Sequence, residues 1–184
     1  MTKNRLETFS DSVMAIVITL LAFELKSPIF ESLNNAETLH ELNLLLPQFF
    51  IFILSFITIS IMWINHHYIT NKIESVSQRT VWSNSILLMF ITMIPFATTF
   101  LGNNPNNQVA LVVYSLIMLA ASFSFTLLKY TSIPKDIYTH KKETFKHVGI
   151  YAYTFAIFVT LFMPPLTYFV LLVPPLSYIL PSRE

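Results

Sequence analysis

The chain has 184 residues, 54% hydrophobic, 15% aromatic and 11% charged, with a mean hydropathy of +0.60. Soluble domains carry about 25% charged residues, so the composition excludes an ordinary soluble protein and indicates a membrane protein. A net charge of +1 with no acidic or basic tail argues against a nucleic-acid partner, and the absence of cysteine removes disulfides, thiolate metal sites and thiol chemistry.

Six apolar segments follow in order, which predicts an all-α polytopic membrane protein: a single six-helix transmembrane domain over residues 1–184. The first, about 5–26, has Glu7 and Asp11 where a secretory signal would be basic, and no small-x-small pattern precedes Lys26, so it is read as a retained helix. Pro28 should stop it, and the acidic stretch Ser27 to Leu42 has room for a short interfacial turn. The second segment, about 44–67, tolerates Pro47 in its first turn, and a polar stretch from Tyr68 to Gln78 follows it. The third, about 80–101, should kink at Pro95. Gly102-Asn103-Asn104-Pro105-Asn106-Asn107 is the strongest loop signal in the chain. The fourth segment covers about 108–129, and a basic linker, Tyr130 to Lys146, leads to the fifth, about 147–163. Pro164-Pro165 breaks the chain, and the sixth, about 165–180, is interrupted by Pro174-Pro175.

Ten of the 11 lysines and arginines fall on one side of this layout: Lys3, Arg5, Lys72, Arg79, Lys129, Lys135, Lys141, Lys142, Lys146 and Arg183. The other side has Lys26 among Glu24, Glu31, Glu37 and Glu41. The positive-inside rule then places both termini in the cytosol of a multi-pass plasma-membrane protein, a parity that six spans satisfy.

The first segment is unusual for carrying Arg5, Asp11 and Thr19, because an unpaired charge near the bilayer centre costs at least ~2.5 to 3.5 kcal/mol. At about 100° per residue, with Ile16 at zero, Phe9 lies near +20°, Leu20 near +40°, Phe23 near −20°, Thr19 near −60° and Asp11 near −140°. One face is therefore an almost wholly apolar stripe, and Asp11 points the other way, into the bundle of its own subunit. The plain alternatives are ordinary packing or lipid contact for the stripe and helix capping for Ser10 and Asp11. Capping leaves unexplained the polar groups expected at the same depth on other segments, namely Trp63, Asn65, His66 and His67 on the second and Arg79, Trp82 and Asn84 on the third. Arg5, Asp11, a histidine and Asn84 are expected to form one hydrogen-bonded cluster that fixes the first helix, while Trp82 reads as an interfacial anchor.

Arg5 with Phe9-Ser10-Asp11, the run from Ala15-Ile16 to Leu20-Leu21, the Trp63 to His67 element, and Asn84 with Pro95-Phe96 together resemble a prokaryotic member of the transmembrane protein 175 family of potassium channels. The resemblance covers the first three segments well and the last three by length and order. It implies a homotetramer in which the first helix of each subunit lines a central pore. It further implies a hydrophobic gate with its narrowest ring at Ile16, further rings at Leu20 and Phe23, and Thr19 as the hydroxyl behind potassium preference. Phe23 departs from the aliphatic residue the resemblance leads one to expect. Arg5, Phe9, Ser10, Asp11, Trp63, His66, His67 and Asn84 would form the network that positions the helix. No cofactor or metal site is implied, potassium being the permeant ion, and the partners are further copies of the chain, the bilayer and monovalent cations.

A backbone-carbonyl filter of the T-V-G-Y-G kind needs a glycine-containing re-entrant loop. Gly102 and Gly149 are the two glycines and neither lies in one, so selectivity would rest on side chains and pore width and be modest. A rival reading is a proton-coupled secondary transporter using Asp11 and His66 or His67. No inverted repeat with paired broken helices is visible, although Pro95 and Pro174-Pro175 keep that reading open. An enzyme or haem carrier fits less well. His66 and His67 point about 100° apart, His40, His140 and His147 fall outside the spans, and no nucleophile with its base, phosphate loop or carboxylate pair is present.

Overall fold

Apolar runs in a bilayer fold as helices because each backbone N–H and C=O must be bonded within its own segment. The computed structural model describes residues 1–25, 34–133 and 147–179, with the backbone alone at 36, 37, 41 and 179, and every regular element among them is helical. In order these are α1 (Lys3–Phe23), α2 (Asn35–Leu44), α3 (Leu46–Asn71), α4 (Gln78–Thr92), α5 (Ile94–Asn103), α6 (Gln108–Ser132), α7 (Val148–Phe162), α8 (Pro164–Leu171) and α9 (Val173–Ile179). Pro28, Lys26, Glu31, Lys135, His140, Lys141, Lys142, Lys146 and Arg183 lie outside the described residues, as do the side chains of Glu37 and Glu41.

Among the described residues four helical stretches are long and apolar enough to cross a membrane: Lys3–Phe23, Leu46–Asn71, Gln78–Asn103 and Gln108–Ser132. Helix α7 is an apolar helix of 15 residues, short of the ~20 that a spanning helix needs, and the last apolar segment is divided between α8 and α9. The acidic stretch after α1 holds α2. Helix α3 continues beyond His67 to Asn71, one turn further than the apolar pattern indicates.

Local chemistry sets the boundaries. Ser77 caps α4 by accepting from the Thr80 N–H at 3.1 Å, and Asn107 Oδ1 caps α6 by accepting from Val109 N at 2.8 Å and Ala110 N at 3.3 Å. Pro95 brings no N–H to the ladder, and the third segment is broken beside it, α4 ending before Met93 and α5 starting at Ile94.

Helix α1 packs against α3, α4 and α5, while α6 lies between α4 and α7, and α8 and α9 turn back onto α7. Met14, Ile51, Leu87, Ile91, Leu101, Leu111 and Met118 are fully buried where these helices meet. A hydroxyl group from each of α3, α5 and α6 meets in that core: Thr98 donates to Ser55 at 2.8 Å, and Ser55 and Tyr114 are 3.0 Å apart. Interhelical bonds of this kind tie helices together where apolar side chains and lipid tails solvate one another equally well. A Cβ on Gly102 would lie 3.1 Å from Gln48 Cγ and 3.3 Å from its Cα, so glycine lets α5 close tightly on the start of α3.

Candidate functional site

The two faces of α1 differ sharply. Leu6, Ser10, Met14, Val17 and Leu21, spaced by three and four residues, are buried against the bundle. On the opposite side Phe9 is 54% exposed, Ile16 58%, Leu20 45% and Phe23 83%, with Thr19 exposed beside them. Of the four long spans, α1 is the least covered by its own chain, its most apolar stretch being 28% buried against 39% to 50% in the others. Its exposed face is not purely apolar. Thr19 Oγ1 donates to Ile16 O at 2.7 Å and Ser12 Oγ donates to Thr8 O at 2.8 Å. Each hydroxyl spends its single proton on its own helix, which leaves oxygen lone pairs as its outward polar function.

The buried face is bonded to the bundle at both ends. Near the N-terminal end, Asn84 Nδ2 donates to Ser10 Oγ at 2.9 Å, and Ser10 Oγ donates to Leu6 O at 2.8 Å. His66 Nε2 lies 2.8 Å from Asn84 Oδ1. With the Asn84 amide donating to Ser10, its carbonyl oxygen accepts from His66, which places the ring proton on Nε2. All three side chains are 1% exposed or less, so the chain of donors is sealed from water. Its geometry requires α1, α3 and α4 in one arrangement.

Two further contacts flank it. Trp63 Nε1 donates to Asp11 Oδ1 at 3.0 Å, and Glu7 Oε1 lies 2.8 Å from His67 Nδ1 and 3.4 Å from the Thr70 hydroxyl that donates to it. Asp11, Trp63, His66, His67, Ser10 and Asn84 are thus brought together as three adjoining contacts between α1 and its neighbours. Arg5 and Phe9 stand apart from them. Arg5 is exposed, makes no hydrogen bond or ion pair with the other described residues, and sits with Asn4, Thr8, Phe9 and Ser12 around a shallow hollow on the outer side of α1. The reason is angular: by the helical period Arg5 lies about 20° from Ile16, on the stripe rather than behind it. Trp82 is 63% exposed.

At the far end of α1, Thr99 Oγ1 donates to Glu24 Oε2 at 2.8 Å, and Gln48 Nε2 donates to the Glu24 backbone carbonyl at 3.1 Å. Sequence reasoning missed Glu7, Thr70 and this second anchor. For Glu7 a signal existed, since it lies four residues before Asp11 on the same helix face. For Glu24 none did, because an acid at a helix end reads as solvated until its partners, 24 and 75 residues away, are known. Among the described residues no three metal-ligating side chains converge.

The family model described as "Endosomal/lysosomal potassium channel TMEM175" matches residues 5–95. A solved structure of a lysosomal potassium-selective channel TMEM175 homolog from Chamaesiphon minutus aligns over 99% of this chain and 98% of its own, with a TM-score of 0.86 and 30% identity. This chain belongs to the TMEM175 family. Among curated relatives, "Potassium channel HX13_20290" of a Chryseobacterium is 34% identical over 70% of this chain and 64% of its own length. The "Endosomal/lysosomal proton channel TMEM175" of Bos taurus is 28% identical over 69% of this chain and 29% of its own. The chain therefore spans less than two thirds of the length of either curated relative. The TMEM175 match covers α1 from Arg5 onward and all of α3 and α4, the three helices joined by the Ser10–Asn84–His66 chain.

Proposed function

We propose that this TMEM175-family chain is one subunit of a homotetrameric, potassium-preferring cation channel of the plasma membrane, with six spans per subunit and both termini in the cytosol. The observation that carries the reading is the outward stripe of α1: Ile16, Leu20 and Phe23 exposed on a helix whose opposite face is bonded into the bundle. A single helix cannot enclose a path, so the stripe works only when copies of α1 surround one axis. Ile16 and Leu20 form the gate. A narrow apolar ring stops ions by expelling water and need not close by contact. Thr19 stands one residue before Leu20 and offers oxygen lone pairs toward the axis, which suits a partly dehydrated cation. The Ser10–Asn84–His66 chain, with Asp11–Trp63 and Glu7–His67, holds the angle at which the stripe is presented.

Planar-bilayer recording of the purified protein tests this. Potassium current is expected, and Ile16→Asn, which wets the narrowest ring, should raise it. Absence of current, or a current indifferent to that change, overturns the gate assignment.

The name carried by the bovine relative favours a second reading, permeation by protons, whether through the same pore or coupled to transport through Asp11 and His66 or His67. A reversal potential that follows an imposed pH gradient with potassium held symmetrical would favour it. Turnover far below channel rates, abolished by Asp11→Asn, would mark the coupled transporter.

A further inference from the structure

The charged side chains in the first three turns of α1 divide by face. Lys3 Nζ donates to the Asn71 carbonyl at 3.1 Å, Glu7 Oε1 meets His67 and Thr70, and the Asp11 carboxylate accepts from Trp63. All three are thereby tied to α3. Arg5 is not: it is exposed, makes no hydrogen bond or ion pair among the described residues, and lies about 20° from Ile16 on the outward stripe. Asn4, Thr8, Phe9 and Ser12 surround it, and none of them is acidic. The helix end adds to its sign. The first turn of α1 holds no acid and Thr2 makes no side-chain cap, which leaves the positive end of the helix dipole open.

An arginine on the axis face of a cation path has the wrong sign to attract the permeant ion. Arginine rings suit anion pores, where they stand close around the ion. Here Arg5 precedes Ile16 by 11 residues, about 16 Å along the helix, so its charge acts on a mouth and not on the narrowest ring. What distance and salt leave is discrimination by valence. Four unit charges about 10 Å from an ion, in water with ~0.1 M salt, lower the local concentration of a monovalent cation by about threefold. A divalent cation feels twice the interaction and is lowered by about ninefold.

We propose that Arg5 is a specificity-determining residue: repeated around the axis, it forms a valence filter at the cytosolic mouth that admits monovalent cations to the gate and holds back divalent ones. The proposal rests on α1 lining the pore. It concerns which cations reach the apolar ring, not how that ring closes.

Planar-bilayer recording of potassium current, with magnesium added to each side in turn, tests it. From one side only, and at ~0.1 M potassium chloride, half-block of the parent should need about ninefold more magnesium than half-block of Arg5→Gln. The two should converge at ~1 M, where the screening length falls to about 3 Å. Arg5→Lys should match the parent. Thr8→Lys on the Arg5→Gln background returns the charge one turn away in the same hollow and should restore the parent's tolerance of magnesium. A guanidinium needed for packing, or engaged by a carboxylate of a neighbouring copy, would give no such rescue. Thr8→Lys alone leaves Arg5 in place and should raise the tolerance above the parent's, which decides the matter if Arg5→Gln fails to assemble. Equal block in the parent and Arg5→Gln, a difference that persists at high salt, or a Thr8→Lys variant with only the parent's tolerance overturns the valence filter and leaves the pore standing. Absence of potassium current in the parent overturns the pore reading, and the filter with it.

Discussion

Asn84 is the residue on which the position of α1 depends most. It accepts from His66 and donates to Ser10 inside a region closed to water, so Asn84→Ala orphans a buried donor on one side and an acceptor on the other. Orphaning a buried donor costs about 1 to 3 kcal/mol, and the thermal midpoint of the purified assembly should fall accordingly. Ser12→Ala removes only an intrahelical bond on the exposed face and should change stability by no more than about 0.5 kcal/mol, leaving that midpoint close to the parent's. Thr19 is tested on a different readout. Thr19→Val keeps the shape and removes the lone pairs, so the reversal potential under mixed potassium and sodium should move toward non-selectivity while the current persists. An unchanged potential would remove Thr19 from ion discrimination. Residue types, helical phase and expected depth made Asp11, Asn84 and a histidine legible as a cluster, while Ser10 read as a cap and joined the network only through the family resemblance. They also misjudged Arg5, whose charge suggested the cluster although its phase placed it with Ile16.

At the scale of the helix, α1 is held like a rod fixed near both ends, by Ser10 to α4 and by Glu24 to α5. The middle of its outward face carries no polar contact to the subunit among the described residues, so any tilt must come from loosening one anchor. Glu24→Gln keeps a carbonyl oxygen for Thr99 and should behave like the parent. Glu24→Ala removes the acceptor, and amide hydrogen exchange in the last turn of α1 should then quicken by roughly fivefold, the equivalent of one net hydrogen bond. Exchange that is equal in the two variants would show that the Gln48 bond to the Glu24 backbone suffices. The helix ends were readable where a proline or a polar turn marks them, as at Pro95 and Asn107, whereas the cap at Ser77 fell inside a stretch read as loop. The extra turn of α3 was not readable, because Tyr68 to Asn71 is mostly polar, and it is held by burial of Ile69 in the core together with the contacts of Thr70 and Asn71 to Glu7 and Lys3 on α1.

At the scale of the whole molecule, a monomer would leave Phe9, Ile16, Leu20 and Phe23 on one side of α1 facing lipid, with Arg5 on the same stripe. Apolar side chains are at ease there but an arginine is not, which favours an assembly that turns this face inward. Native mass spectrometry should therefore give four subunits, and a stable monomer would refute the pore geometry outright. The all-helical architecture was legible from hydropathy alone. The division of the last apolar segment into α8 and α9 was foreshadowed by Pro174-Pro175, yet how these helices fold back on α7 depends on contacts that no local pattern encodes.

The two anchors of α1 join residues 74 and 75 positions apart in the chain. At a synthesis rate of about 5 to 20 residues per second, α1 therefore waits roughly 4 to 15 s after entering the membrane before Asn84 and Thr99 exist to receive it. Trp63, His67 and Gln48 are made earlier in that interval, so the partners of α1 on α3 precede those on α4 and α5. Completion of the third apolar segment sets a clock for folding: α1 cannot be held by both anchors until the ribosome has passed α5. The same bonds that fix an angle in the finished protein thus fix an order of events in making it.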